Sequence, residues 1–147
     1  MAIVVRKARP EDESSFRRLW ADYLDFYEVT VASTVTDSTW SRALSPASAI
    51  FMRVAELDGA VVGFALCLTH EGTWIEGLDC YLEDLFVDAS ARGRGVGRAL
   101  LDDLVVLSKD QGWSRLYWHT SESNHTARKL YDRFVESDGH VRYRMVF

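Results

Sequence analysis

The turn at residues 92–98 constrains the fold of this chain more than any other stretch. It reads Arg-Gly-Arg-Gly-Val-Gly-Arg. An apolar strand pattern leads into it over residues 79–87, and a helical pattern leaves it and ends at Gly112, a residue type favoured at helix C-caps. A further strand pattern covers residues 115–120. A strand, a helix and a second strand in this order predict a parallel, right-handed crossover within one sheet.

Segments before the turn predict an antiparallel portion of the same sheet. Residues 50–57 and 60–68 read as two strands joined by Asp58-Gly59, a strong hairpin signal. A short strand over residues 3–5 comes first, and a helix that opens at Pro10 follows it. Between this helix and the hairpin the pattern is weak, and it predicts a loop with a short helix around residues 39–44.

Segments after the crossover predict one more helix and one more strand. A helical stripe covers residues 127–134, and alternate apolar residues over 141–147 predict a last strand. The order of elements is therefore β-α-(α)-β-β-β-α-β-α-β. It predicts an α/β fold with a mixed sheet, formed by a single domain over residues 1–147.

Composition excludes several classes of protein. Apolar residues make up 48% and charged residues 27% of the 147 residues, as in ordinary globular domains. The longest apolar runs are far shorter than the ~20 residues that a membrane span needs, and the N-terminus lacks the apolar core of a signal peptide. A net charge of −5 argues against nucleic-acid binding. We therefore expect a cytoplasmic protein with neither a nucleic-acid nor a membrane partner.

Cysteines and histidines do not form a recognisable metal or redox pattern. Cys67 and Cys80 lie in apolar strand contexts, so we expect both to be small core residues. Their number and spacing do not match a CxxC motif. The four histidines, His70, His119, His125 and His140, are scattered without ligand spacing, so no metal site is expected.

A strand that enters a glycine-rich turn at a helix N-terminus is suited to bind an anion. Glycines allow close approach of a ligand, and the first helical N–H groups are unpaired donors in the positive field of the helix dipole. The spacing excludes two common phosphate loops. A P-loop requires GxxxxGK[ST], and no lysine or hydroxyl residue follows Gly97 at the required place. The dinucleotide fingerprint GxGxxG does not match either, because Arg98 stands at its last position.

The spacing present is Arg92-x-x-Gly95-x-Gly97, which resembles the acetyl-CoA pyrophosphate loop of the GNAT superfamily of N-acetyltransferases. A second segment, WHTSESNHTARKLY at residues 118–131, resembles the other cofactor segment of that superfamily. Residues 81–87, YLEDLFV, resemble the spermidine/spermine-type acetyltransferases, and DFYEV at residues 25–29 resembles the histone-and-polyamine branch. The resemblance implies a GNAT-type fold, with a mostly antiparallel sheet, a parallel β-α-β cofactor unit and helices on both faces.

The resemblance also implies how acetyl-CoA is held. The backbone of the strand before the turn pairs with the pantetheine arm, and the turn holds the pyrophosphate with arginines in support. Asn124 fits a hydrogen bond to the pantetheine portion, although an N-cap is its alternative role. The implied cofactor contacts are Leu85, Phe86, Val87, Arg92, Gly93, Arg94, Gly95, Val96, Gly97, Arg98, Ala99, Asn124 and Tyr131.

Two residues match the catalytic positions of the family. Tyr131 is implied as the general acid that protonates the departing CoA thiolate, although an aromatic residue in this stripe also suits the core. Glu83 is implied as the base that takes the proton of the acceptor amine through water, although a charge on a solvated sheet face is the alternative. Strand alternation places Glu83 and Asp84 on opposite faces, and a β-bulge would bring both to the cleft.

The acceptor is expected to be a small-molecule amine or a lysine-bearing substrate. Acidic and aromatic side chains could form a wall for a cationic amine, since aromatic faces attract ammonium groups. The implied substrate contacts are Tyr23, Tyr27, Glu28, Trp74, Glu83 and Asp84, with Asp25, Glu76 and Asp79 as further acidic residues. The function predicted is acetyl transfer from acetyl-CoA to a primary amine by direct attack in a ternary complex. A non-catalytic acyl-CoA sensor and a nucleotide-binding domain are the alternatives.

The last predicted strand also bears on assembly. It closes the given sequence with apolar residues at alternate positions, Val141, Tyr143, Met145 and Phe147. A strand of this kind at a sheet edge can pair with, or exchange into, another subunit. A homodimer is therefore expected.

Overall fold

The computed structural model describes residues 2–147 and contains a five-stranded sheet in the order β1-β2-β3-β4-β5. The first four strands are antiparallel to their neighbours, and β5 is parallel to β4. This is the mixed α/β sheet that the sequence predicts. The strands are β1 (Ile3–Lys7), β2 (Ile50–Leu57), β3 (Ala60–Glu71), β4 (Leu78–Val87) and β5 (Arg115–Trp118).

Four helices cover the two faces of the sheet. They are α1 (Glu13–Phe26), α2 (Ser33–Leu44), α3 (Val96–Gln111) and α4 (His125–Tyr131), with 3₁₀ turns at Pro10–Asp12 and Ala89–Ala91. Helix α2 is longer than the short helix expected around residues 39–44. Its sequence is rich in Ser and Thr, which are weak helix formers, but Trp40 and Ala43 are buried against the sheet. Tertiary packing therefore stabilises a helix that its local sequence marks only weakly.

Each face of the sheet has its own hydrophobic core. On one face α1 and α2 bury Phe16, Leu19 and Trp40 against Met52 and Phe64. On the other face α3 buries its leucine stripe against residues from the sheet, which include Cys67, Cys80 and Leu82. Both cysteines are buried and free, which confirms their expected place in the core.

Two turns have the backbone conformations that the sequence predicts. Asp58 and Gly59 both have positive φ, 51° and 85°, and form the tight hairpin between β2 and β3. Gly112 caps α3 in the left-handed conformation with φ 71°. These two predictions are confirmed.

The predicted last strand is wrong. Residues 136–147 form neither a strand nor a helix, and every one of them is exposed. The alternate apolar residues Val141, Tyr143, Met145 and Phe147 are 75%, 93%, 82% and 109% exposed. Alternation indicates that a segment can form a strand, but a strand also needs a partner edge, and this segment pairs with no strand of its own chain.

Candidate active site

The glycine turn gives α3 an N-terminus that is open to an anion. Gly95 is the N-cap residue, and its φ of 84° is a left-handed conformation that glycine adopts without steric cost. No side chain caps the helix, and the first intrahelical bond runs from the Ala99 N–H to the Gly95 carbonyl. The N–H groups ahead of Ala99 are therefore not used by the helix and are oriented as anion donors.

Gly97 serves a different purpose from Gly95. A Cβ atom built at Gly97 would lie 3.2 Å from Cδ2 of Leu130 on α4, whereas one built at Gly95 would meet nothing within 4 Å. Gly97 therefore allows α3 and α4 to pack closely, while Gly95 supplies the conformation of the turn. The alternation of glycines combines these two requirements.

The arginines of the turn have different surroundings. The Arg92 guanidinium lies over the rings of Phe26 and Phe86, at 5.6 and 5.5 Å, and its Nε donates to the Val87 carbonyl at 3.2 Å. Arg98 is largely exposed and lies 3.9 Å from Asp102. Of these two arginines, Arg98 is the one whose side chain is available to a pyrophosphate at the helix N-terminus.

Strand β4 extends beyond its pairing with β5. The β4–β5 register ends at Leu82 opposite Trp118, whereas the pairing of β4 with β3 continues to Val87. The segment from Glu83 to Val87 therefore has its β5-side edge unpaired. An extended chain of amides, such as a pantetheine arm, can add to such an edge as a peptide strand does.

A β-bulge lies at the point where the two strands separate. The β3–β4 register passes from Leu82 to Asp84 between Cys67 and Leu66, so Glu83 is the extra residue. A bulge redirects side chains and is common beside active sites. It places Glu83, which is exposed, on the rim of a cleft that simple alternation would not specify.

This cleft brings the two predicted catalytic residues together. It has a volume of about 50 Å³ and is lined by residues from α1, β4, β5, the loop after β5 and α4. The lining residues are Tyr23, Tyr27, Leu82, Glu83, Leu85, Trp118, His119, Thr120 and Tyr131. Glu83 and Tyr131 are 48 positions apart in the chain, so it is the strand separation and the placement of α4 that make them neighbours of one cavity.

Tyr131 closes α4 and is held by both packing and burial. Its ring contacts the Trp118 ring edge-on at a centroid distance of 5.4 Å, and it packs on the α3-side core. Burial, followed by the charge of Tyr27, raises the pKa of Tyr131 to about 12. The phenol is therefore protonated at neutral pH and can donate a hydrogen bond into the cleft.

Tyr23 and Asp84 form a hydrogen-bonded pair next to this cleft. The Tyr23 hydroxyl donates to Oδ1 of Asp84 at 2.7 Å. Burial raises the pKa of Asp84 to about 6, the hydrogen bond from Tyr23 acts in the opposite direction, and the charge of Glu83 raises it further. Tyr23 lines the cleft and Asp84 does not, so the structure links Asp84 to the cleft through Tyr23. The contacts of both residues with substrate stay predictions.

Asn124 is the N-cap of α4. Its Oδ1 accepts a hydrogen bond from the Ala127 N–H at 3.3 Å, so the alternative capping role is the one that the structure contains. The cap uses only the oxygen, and the side-chain NH₂ group is not needed for it. A hydrogen bond from this NH₂ to the cofactor stays a prediction.

Several site residues differ from the sequence analysis. Glu28 and Trp74 do not line the cleft; Trp74 is 89% exposed in the connection between β3 and β4. His119 and Thr120, which directly follow β5, do line it. Sequence signals could have pointed to them, because residues just beyond the end of a cofactor-side strand face the site. Asp79, instead of belonging to an acidic wall, is buried and paired with Arg115 at 2.6 Å.

Two absences apply to the described part of the chain. Within residues 2–147, no group of three or more His, Cys, Asp or Glu side chains is arranged to hold a metal ion. Over the same residues, no helix has both the length and the apolar character to cross a membrane.

The residues present fit acetyl-CoA. The open N–H groups at the start of α3 suit a pyrophosphate, and the unpaired β4 edge suits the amides of pantetheine. The cleft with Glu83 and Tyr131 lies where β4 and β5 separate. These three features follow one another along β4 and α3, as a single extended ligand requires.

Comparison with known proteins agrees with this geometry. The model of the acetyltransferase (GNAT) family matches residues 13–135. A D-amino-acid N-acetyltransferase of Saccharomyces cerevisiae is 31% identical over 144 residues, which cover 97% of this chain and 89% of the relative. A thialysine N-epsilon-acetyltransferase of Bos taurus is 34% identical over 78 residues, 53% of this chain and 45% of the relative.

Solved structures show the same fold at low sequence identity. A ribosomal-protein-alanine N-acetyltransferase from Brucella melitensis superposes with a TM-score of 0.78 at 23% identity, covering 99% of this chain and 100% of that chain. A probable acetyltransferase superposes with a TM-score of 0.84 at 21% identity, covering 100% and 98%.

Proposed function

Because the chain belongs to the GNAT acetyltransferase family, an acetyl-CoA-dependent group of acyltransferases, we propose that it acetylates a primary amine of a small cationic acceptor. The acceptor class includes polyamines and lysine side chains. We assign the whole activity to one domain over residues 1–147. The observation that carries the proposal is the shared cleft of Glu83 and Tyr131 at the separation of β4 and β5.

The family membership removes the nucleotide-binding alternative. In our proposal, the backbone N–H groups of the turn at residues 93–98 hold the pyrophosphate, and Arg98 adds a charge-assisted contact. The N–H of Ala99 is not among them, because it donates to the Gly95 carbonyl. The backbone of Leu85, Phe86 and Val87 pairs with the pantetheine arm. Arg92 contributes by packing against α1 and β4, and Arg94 and the NH₂ group of Asn124 complete the contacts.

When bound, acetyl-CoA supplies a thioester whose carbonyl carbon a neutral amine can attack. A primary amine holds its proton up to about pH 10, so a group in the cleft must accept that proton. Glu83 takes it through one or more waters, since its carboxylate is the one on the cleft rim. Tyr131 directs its hydroxyl proton to the sulfur as the thiolate leaves.

A phenol with a pKa of about 12 is a weaker acid than a thiol of pKa about 8.5. Full proton transfer to a free thiolate is therefore uphill by more than 3 pKa values, or ~5 kcal/mol. Tyr131 acts mainly by hydrogen bonding while charge develops on sulfur. A hydrogen bond to a developing charge contributes most in a site that excludes water.

Acceptor identity rests on the character of the cleft wall. Tyr23 and Tyr27 present aromatic rings in edge-to-face contact at 5.1 Å, and Glu83 supplies negative charge. This combination favours an ammonium group. The names of two relatives, a D-amino-acid and a thialysine N-acetyltransferase, describe amine acceptors as well.

Thiol release from acetyl-CoA with a panel of spermidine, lysine, an amino acid and an aminoglycoside tests the function. We expect turnover with at least one cationic amine. Tyr131→Phe should lower kcat about 10-fold or more, with little change in the Kd for acetyl-CoA, because the lost hydroxyl acts on the leaving sulfur. Absence of turnover with every amine, together with tight acetyl-CoA binding, would favour the non-catalytic sensor. An unchanged kcat in Tyr131→Phe would refute the role of the phenol.

We also propose that the chain forms a homodimer through the tail at residues 136–147. Among residues 2–147, strand β5 pairs only with β4, so one of its edges is unpaired, and the tail presents exposed alternate apolar residues. An unpaired edge and a strand-forming segment are complementary between two copies. Sedimentation at micromolar concentration should show a dimer, and deletion of residues 136–147 should yield a monomer. A wild-type monomer under these conditions would refute the proposal.

We propose a cytoplasmic location on separate grounds. Cys67 and Cys80 are both free thiols, which suits a reducing compartment. Recovery of the protein in a membrane or secreted fraction would contradict it.

A further inference from the structure

Asp84 is a largely buried carboxyl group that the proposed reaction does not use. It lies on β4 directly after the bulge residue Glu83 and opposite Leu66 of β3. Its Oδ1 accepts the hydrogen bond from Tyr23 at 2.7 Å. A buried carboxylate is costly unless it is compensated, and here the compensation within the fold is a neutral phenol.

The Tyr23 ring is held firmly between this carboxylate and the cleft. It contacts the rings of Trp20, Tyr27, Phe64 and Phe86 at centroid distances of 5.5, 5.1, 5.9 and 5.7 Å. Four aromatic neighbours restrict its rotation, and Tyr23 itself lines the cleft, so its hydroxyl group is held in one place beside it.

The hydrogen bond to Asp84 determines whether the Tyr23 phenol donates or accepts a hydrogen bond in the cleft. An ionised carboxylate only accepts hydrogen bonds, and a phenol has a single proton. With that proton committed to Asp84, the Tyr23 oxygen can only accept from a ligand. We propose that Asp84 is a positioning residue that makes Tyr23 a hydrogen-bond acceptor for the N–H groups of the acceptor amine, and so selects cationic amines. This inference rests on the proposed function.

The same pair explains how the amine is oriented. An ammonium group has several N–H donors, and after one proton leaves, the neutral amine retains N–H groups and one lone pair. A hydrogen bond from one N–H to the Tyr23 oxygen restricts the rotation of the amine and helps to aim the lone pair at the thioester. The negative charge of Asp84 additionally attracts the cation before it loses its proton.

Protonation of Asp84 should weaken this arrangement. Burial raises the pKa of Asp84 to about 6, so below that pH the carboxyl group can donate to Tyr23 and release the phenol proton toward the cleft. The ionisable groups that interact with Asp84 are Tyr23 from α1, Cys67 from β3, and Tyr81 and Glu83 from β4. All four are neutral or negative when they titrate, so none of them compensates the carboxylate.

Steady-state kinetics with spermidine as the probe tests the inference. At pH 7.5, Tyr23→Phe and Asp84→Leu should each raise the KM for spermidine about 10-fold, the effect of losing a hydrogen bond to a charged group. The double variant should be no worse than the poorer single variant, because both remove the same interaction. The Kd for acetyl-CoA should not change. Asp22→Asn on α1 is the control for loss of one negative charge without loss of this bond.

A conservative variant separates positioning from a structural role. Asp84→Asn keeps an oxygen that can accept from Tyr23, so its KM at pH 7.5 should stay within about 3-fold of the wild type. The wild-type KM should rise as the pH falls below about 6, whereas the Asp84→Asn variant lacks the titrating carboxyl group and should not show this rise. Calorimetric titration of spermidine into the CoA complex should show the same pattern without turnover.

Failure of the proposed function and failure of the inference about Asp84 give different results. If the wild type acetylates no amine, the proposed function fails, and if it also binds no spermidine, the inference fails with it. If spermidine is acetylated but Asp84→Leu leaves its KM unchanged, the inference alone is wrong. The inference would also be overturned if the double variant raised the KM by the product of the two single effects, or if Asp84→Asn kept the rise in KM near pH 6.

Discussion

Replacement of Asp84 by asparagine should stabilise the protein at neutral pH and remove a specific pH dependence. The pKa of Asp84 is about 6 in the folded chain against an ordinary value of 3.8. The folded state therefore binds the proton more tightly than the unfolded state does. The stabilisation from the protonated form is complete below pH 3.8 and is lost as the pH rises through 6.

The magnitude follows from the two pKa values. They differ by about 2, which corresponds to ~3 kcal/mol of lost stability well above pH 6. At pH 4.5 the same relation gives a loss of only ~1 kcal/mol. The wild type should therefore lose about 2 kcal/mol more from this group at pH 7.5 than at pH 4.5. An asparagine does not titrate, and it can still accept the hydrogen bond from Tyr23.

Urea unfolding of the wild type and Asp84→Asn at pH 4.5 and 7.5 measures this difference. The free energy of unfolding of the variant, relative to the wild type, should rise by about 2 kcal/mol between the two pH values. Other titrating groups cancel in this comparison because both proteins share them. Equal pH dependence in the wild type and Asp84→Asn would refute the reasoning.

Three further predictions concern the glycine turn and the first strand. Gly95→Ala should destabilise the chain by ~1–2 kcal/mol, because the φ of 84° at this position is a left-handed conformation that alanine adopts only at a cost. The same variant should weaken acetyl-CoA binding in calorimetry, and an unchanged Kd would contradict the proposed place of Gly95 in the cofactor loop. Gly97→Ala should lower the free energy of unfolding in urea by ~1 kcal/mol, because the added Cβ would lie 3.2 Å from Cδ2 of Leu130. The loss should be smaller in a Leu130→Ala background, and equal losses in both backgrounds would exclude that contact as the cause. Arg6→Met should lower the free energy of unfolding by ~3 kcal/mol, because Asp12, paired with Arg6 at 2.8 Å, would stay buried without this charged partner. Adding Asp12→Asn should recover part of the loss, and no recovery would mean that the ion pair is not the cause.

The local sequence was sufficient for most strands and helices of the fold and for the glycine turn. The hairpin at Asp58-Gly59, the C-cap at Gly112 and the strand–turn–helix around residues 92–98 each depend on backbone conformations that a few residues impose. Their physical causes lie within the segment itself, so they can be recognised before the chain is folded. The family motif Arg92-x-x-Gly95-x-Gly97 belongs to the same class of signal.

Features that depend on a distant partner could not be predicted in this way. Helix α2 exists because Trp40 and Ala43 find a buried surface on the sheet. The last predicted strand does not form: its apolar residues alternate, but the segment does not pair with the open edge of β5 and stays exposed. Trp74 was expected to contact substrate, but the connection between β3 and β4 leaves it exposed outside the cleft.

The sequence by itself determined the order of elements from β1 to α4, the buried cysteines and the glycine turn before α3, because glycine conformation, helix capping and apolar periodicity are local properties. Only the tertiary structure decided which side chains meet at the cleft. The bulge at Glu83, the separation of β4 from β5 and the 2.7 Å hydrogen bond from Tyr23 to Asp84 join segments up to 61 positions apart. Burial then raises the pKa of Asp84 to about 6, and burial is a property of the packed molecule that no single segment carries.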